Sequence, residues 1–131
     1  MSDWRKWVFY LGGLYDAFFG IAFFFFWERL FATFHITPPN HPGYAQFPAL
    51  LLVIFGLLFF QIARDPEANR DLIIYGIALK AAYSGLVLWY RFTSGVPELW
   101  VRFAWIDIVF LILFFVAWQW SPHRAARTAE S

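Results

Sequence analysis

The sequence predicts an all-α fold: a four-helix transmembrane bundle running up-down-up-down with short loops. Three observations lead there. Hydrophobic residues make up 61% of the 131 positions and charged residues only 15%, whereas an average soluble domain is about half apolar and about a quarter charged. A water-soluble fold of this size would leave much of that apolar surface facing water. Four apolar stretches, at about residues 7–34, 47–63, 72–90 and 99–120, are long enough to cross a bilayer, which takes about 20 residues. Alternation of period two is absent from them, which argues against a β-barrel. Backbone groups in lipid must be satisfied within their own segment, which leaves helices.

The first span, Trp7 to Phe34, follows Arg5 and Lys6. Its apolar run is far longer than that of a signal peptide and no small-residue cleavage site follows, so it is read as retained. HITPPNHPGY, His35 to Tyr44, then holds three prolines and a glycine and cannot continue a helix. The second span, Phe47 to Ala63, is expected to start at Pro48, a position near a helix start that tolerates proline. RDPEANRD, Arg64 to Asp71, is charged and broken by Pro66, and Asn69 or Asp71 is placed to cap the third span. That span, Leu72 to Tyr90, ends at RFTSGVPE, where Gly95 and Pro97 separate it from the fourth, Leu99 to Trp120. Residues 121–131 form a polar tail, expected to fray.

Basic residues orient the bundle. Arg5, Lys6, Arg64, Arg70, Arg124 and Arg127 share one side, against Arg29, Arg91 and Arg102 on the other, so both termini are expected in the cytoplasm. Trp4, Trp7, Trp27, Trp89, Trp100, Trp118 and Trp120 fall at span ends, where tryptophan anchors a helix in the interface, and Trp105 does not.

Charges inside a span are costly and therefore informative. Away from the span ends, where Glu28 and Arg29 can snorkel, there are three: Asp16, Lys80 and Asp107. Counted from the cytoplasmic end of each helix they lie about 11, 9 and 14 residues in, or ~16, ~13 and ~20 Å deep, close enough to meet within the bundle. Gly12, Asp16 and Gly20 form one stripe of small residues, which favours close helix approach. Ala78, Ala81, Ala82 and Gly85 form another, with Lys80 at its margin. Tyr83 and Ser84, one turn from Lys80, are placed to accept from its ammonium. Asp107 has no polar neighbour in its own helix and needs a partner from elsewhere. One reading is a structural ion pair that sets helix register. The sharper reading is that one base and two acids leave a carboxylate unmatched, able to carry a proton, a cation or the polar head of a lipophilic ligand. A third is that one of the three faces a partner subunit.

Other polar residues point less far. His35 and His41, with Glu28 and Glu98 nearby, are weak candidates for a metal, because their spacing matches no ligand pattern. Gln61 and Arg64 are expected to face headgroups or each other. The phenylalanines, including Phe23 to Phe26, are ascribed to lipid contact. No cofactor is expected, since there is no phosphate loop, HExxH or GxSxG. The absence of cysteine excludes disulfides, thiolate metal sites and a cysteine nucleophile. A formal charge of +1 with no basic stripe excludes a nucleic-acid partner. A weak pseudo-repeat pairs the first and third spans, each with a central charge, and the second and fourth, each apolar after a proline.

The stretch FGLLFFQIARDPEANRDLIIYGIALK, Phe55 to Lys80, resembles a pattern in small bacterial four-span membrane proteins, where Ala-Arg-Asp-Pro closes one span and the next carries Gly and then Lys. The matching residues are Ala63, Arg64, Asp65, Pro66, Gly76 and Lys80. The four-span plan is also similar to the broad DoxX-like group. These resemblances imply a bacterial inner-membrane protein and carry over no catalytic residues. Three functions follow as expectations. The first is a non-enzymatic protein that binds a lipophilic small molecule or serves as an accessory subunit, in a homo-oligomer or with a membrane-protein partner. The second is a small transporter or proton-conducting element. The third is an intramembrane enzyme acting on a lipid-soluble substrate.

Overall fold

The computed structural model describes residues 3–121. Apart from Ser121 the expected polar tail, with Arg124 and Arg127, lies outside the described residues. Four helices run in order: α1 Trp4–Thr33, α2 Gly43–Arg64, α3 Arg70–Thr93 and α4 Glu98–Gln119. No strand occurs among the described residues. All four helices are long and apolar enough to cross a membrane, which is the arrangement of a multi-pass membrane protein.

Local chemistry explains where each helix begins and ends. Asp3 caps α1 by accepting from the Arg5 backbone N–H. At 30 residues α1 is longer than the hydrocarbon core requires. Its backbone departs from helical geometry at Phe26 (φ −122°, ψ 23°), setting the segment with Trp27, Glu28 and Arg29 apart from the straight part. The helix then closes through His35, at φ 56°. The Ile36 N–H reaches Phe31 O at 2.8 Å and the His35 N–H reaches Ala32 O at 3.3 Å, the paired bonds of a left-handed C-terminal cap. A residue with a Cβ is disfavoured at that φ. His35→Gly is therefore expected to raise stability by up to about 1 kcal/mol, read as a shift in the unfolding midpoint. A destabilised variant would show that the imidazole has another role.

The second helix starts earlier than the sequence suggests. Pro42, not Pro48, stands at its N-terminus, with Pro42 O accepting from the Ala45 and Gln46 N–H groups at 3.0 Å. Pro48 lies inside the helix. It falls in the second turn, where it withholds the one N–H that would otherwise meet Tyr44 O. Asn69 occupies the N-cap position of α3 but makes no side-chain cap bond. Its amide instead donates to Gln61 O (3.1 Å) and Asp65 O (3.0 Å), closing the turn. The Gln61 side chain meets Asn69 rather than Arg64. Gly95, at φ 89°, ends α3 with its N–H on Tyr90 O.

Packing makes two close helix pairs, α1 with α2 and α3 with α4, which touch each other less closely along α1–α4 and α2–α3. The α1–α2 pair approaches backbone to backbone. A Cβ on Gly20 would stand 2.6 Å from Ala49 O, and one on Gly13 would stand 2.9 Å from Gly56 O. Between the pairs, large side chains replace this contact. Phe9 stacks on Phe114 at 4.6 Å and Phe114 meets Phe59 edge-on at 4.9 Å. All three are fully buried, together with Ile62, Ile73 and Ala117. This plug seals the half of the bundle that holds the termini. The second stripe of small residues, Ala78, Ala81, Ala82 and Gly85, faces outward from α3 rather than into the bundle.

Two arginines tighten the sealed end, a role that the charge count does not suggest. Arg5 donates to Trp120 O (2.6 Å) and Ser121 Oγ (2.7 Å), and pairs with Asp3 and Glu67. Arg70 donates to Trp118 O and lies 4.3 Å from the centre of the Trp118 ring. Both cations thus sit on the carbonyls at the C-terminal end of α4, where the helix dipole favours positive charge. Arg5→Ala is expected to cost about 1–3 kcal/mol, seen as faster amide exchange at the α4 C-terminus. Unchanged exchange there would refute the clamp. The Asp3 carboxyl is held below its ordinary value of 3.8, first by its hydrogen bonds to the Arg5 side chain. Its contribution is therefore present above that value and is lost as pH falls through the lowered one.

Candidate ligand cavity and buried ionic centre

Three of the four helices deliver one charge each to the same point. Lys80 Nζ of α3 lies 2.8 Å from Asp16 Oδ1 of α1 and 3.1 Å from Asp107 Oδ1 of α4. Lys80 and Asp16 are each 1% exposed. The Asp16–Lys80 bond crosses a diagonal of the bundle, between helices whose backbones do not approach each other. The long lysine side chain spans the gap between the two helix pairs. An ammonium has three donors. Two serve the carboxylates, and aromatic faces surround the group, with Tyr15, Phe110 and Phe59 ring centres 5.2, 5.4 and 5.7 Å away.

The hydroxyls expected to assist are engaged elsewhere. Tyr83 donates to Trp100 O at 3.1 Å, tying α3 to α4, and Ser84 donates to Lys80 O within its own helix at 2.6 Å. The second Asp16 oxygen, Oδ2, is buried without a hydrogen-bond partner among the described residues. A buried polar atom of this kind is costly.

Beyond the ionic centre, away from the sealed end, the helix pairs part around a cavity of about 420 Å³. Asp16 and Asp107 belong to its lining, and apolar and aromatic side chains form the rest. On one side the rings of α1 and α4 close the wall, Phe19 to Phe103 at 4.9 Å and Phe23 to Trp100 at 5.7 Å. On the α2 side, Tyr44 and Leu51 line the cavity while 69% and 37% exposed, so the space reaches the outer surface. This volume lies within the range of small-molecule sites, about 300–1,000 Å³. An apolar pocket with a few polar groups is the usual form of such a site.

Several cavity residues are missed by sequence reasoning. Phe23 is buried in the cavity wall while Phe25 and Phe26 face outward, and Trp100, at the start of α4, also lines the cavity. A usable signal existed. Tyr15, Phe19 and Phe23 repeat every four residues beside Asp16, and Trp100 and Phe103 lead to Asp107 at i, i+3 and i+7. These are aromatic ladders on the faces that carry the acids.

The two histidines of the 34–42 loop serve the backbone. His35 forms the α1 cap, and His41 Nδ1 accepts from the Gly43 N–H at 2.9 Å. No group of three His, Cys, Asp or Glu residues able to hold a metal is found among the described residues. Glu98 pairs with Arg91 across the third loop at 3.1 Å.

Fold and site together define a multi-pass helical bundle that carries a buried Asp–Lys–Asp centre beside an apolar cavity. Comparison with protein-family models, curated proteins and solved structures finds no match.

Proposed function

We propose that this protein is a small membrane-embedded binding protein that holds a lipophilic ligand, with the ligand's polar head against Asp16 and Asp107. We place it in a bacterial inner membrane, as the resemblance of the Phe55 to Lys80 stretch implies, with both termini in the cytoplasm, the orientation that the distribution of basic residues favours. One observation carries the reading: the apolar cavity between the helix pairs is lined by the two aspartates of the ionic centre. A purely structural ion pair has no need of a cavity against its acids.

The aromatic plug favours binding over conduction. An ion leaving the cavity toward the termini meets the packed Phe9, Phe59 and Phe114 rings. Reconstituted vesicles are accordingly expected to show no proton or cation flux above protein-free vesicles. A flux abolished by Asp107→Asn would replace this reading with a transporter.

The direct test uses protein purified in mild detergent, extracted with organic solvent and analysed by mass spectrometry. A lipophilic compound is expected to accompany the wild type at roughly one molecule per chain, as a single pocket of this size implies. Ala45→Trp sets an indole in the cavity lining without changing the charges, and is expected to abolish its retention. Equal retention by wild type and Ala45→Trp, or none by the wild type together with no binding of added ligands, overturns the reading.

A further inference from the structure

The proposed function leaves the ligand's chemistry open, and the charges narrow it. The following inference rests on that reading. Asp16 and Asp107 contribute −2 when ionised and Lys80 contributes +1, leaving −1 in a setting of low dielectric. Lys80 engages Oδ1 of each acid. The Asp16 Oδ2 is left without a donor, and Asp107, whose side chain is 9% exposed, lines the cavity. Through Asp107, the more exposed of the two acids, the centre therefore offers negative charge but no spare cation toward the space where a ligand would lie.

The surrounding walls suit one kind of head group. Tyr15, Phe19 and Phe103 stand around the acid-lined part of the cavity, with Tyr15 5.1 Å from Phe19 and Phe19 4.9 Å from Phe103. Carboxylates beside aromatic faces are a recognition setting for ammonium ions. The protein already holds one ammonium in this way, since Lys80 Nζ lies between the same two acids and near the Tyr15 ring. An anionic head would be repelled by the surplus charge.

We propose that the cavity binds a lipophilic ammonium ion, a protonated amine on an aromatic or hydrocarbon body. The amine occupies the acid-lined part of the cavity as the counter-ion of the unmatched carboxylate. Its body fills the aromatic part toward Phe23, Phe31 and Trp100.

The test compares three probes of nearly equal shape on the full chain in phosphatidylcholine nanodiscs at pH 7, with empty nanodiscs as blank. These are 4-hexylbenzylamine, 4-hexylbenzyl alcohol and 4-hexyltoluene. The amine is expected to bind at least tenfold more tightly than the alcohol, with the hydrocarbon weakest. Asp16→Asn and Asp107→Asn each leave Lys80 one carboxylate, so both are expected to remove the tenfold preference for the amine over the alcohol. The comparison on wild type stands even if a variant does not fold. Equal binding of amine and alcohol, both lost in Ala45→Trp, overturns the ammonium inference and leaves the lipophilic-ligand reading intact. Binding of no probe above the blank overturns both.

Discussion

Lys80→Met is expected to cost about 3–5 kcal/mol of stability, because it leaves two buried carboxylates facing each other without a cation. Methionine retains much of the side-chain volume, so the loss reports charge rather than a cavity. The geometry makes the effect large. Lys80 bridges the acids of α1 and α4 through 2.8 and 3.1 Å contacts, and it is 1% exposed, so water cannot substitute for it. Reversible unfolding in mixed micelles measures the loss. The triple variant Lys80→Met, Asp16→Asn, Asp107→Asn removes every charge at the centre and is expected to recover most of it. Buried ion clusters replaced as a unit often prove neutral or stabilising. A single variant as stable as wild type would show that the acids are not held charged by the lysine, and would remove the premise of the charge argument above.

Gly20→Ala is the second large effect, expected at about 1–3 kcal/mol. Its Cβ would meet Ala49 O at 2.6 Å and Val53 N at 2.9 Å. Both are backbone atoms of α2, so no rotamer change relieves the clash and the helix pair must separate. Because Ala49 also lines the cavity, separation reshapes the pocket wall, and the variant is expected to lose ligand retention as well as stability. Gly85→Ala is the control. A Cβ there meets nothing within 4 Å, and alanine is the better helix former by about 1 kcal/mol. That variant is expected to be neutral or slightly more stable. If both substitutions behave alike, the close approach of α1 and α2 does not hold the bundle together.

The two glycines also show where one-dimensional reading stops. Both lie in stripes of small residues on helices that carry a buried charge, and the same packing argument applies to each. Gly20 faces a neighbouring backbone, whereas Gly85 is exposed with its whole stripe. Glycine spacing identifies a surface that permits close approach, but which helix takes it up depends on competition among all faces. Tyr83 and Ser84 teach the same lesson. Both hydroxyls lie within a turn of Lys80, yet one satisfies a carbonyl of α4 and the other a carbonyl of its own helix. Two aspartates already occupy the ammonium, and a carboxylate is the stronger acceptor.

The spans were legible in the chain alone, because hydrocarbon admits only segments that satisfy their own backbone, and length and apolarity record that requirement residue by residue. The convergence of Asp16, Lys80 and Asp107 was legible for a related reason: a charge at that depth needs a partner, and the choices were few. The cavity was not. It arises because α1 and α2 touch through glycine while the two helix pairs are held apart by rings, packed solid at one end by Phe9, Phe59 and Phe114 and left open at the other. A void is a property of how four surfaces fit, not of any one segment, so only the folded arrangement reveals that the two acids border empty space.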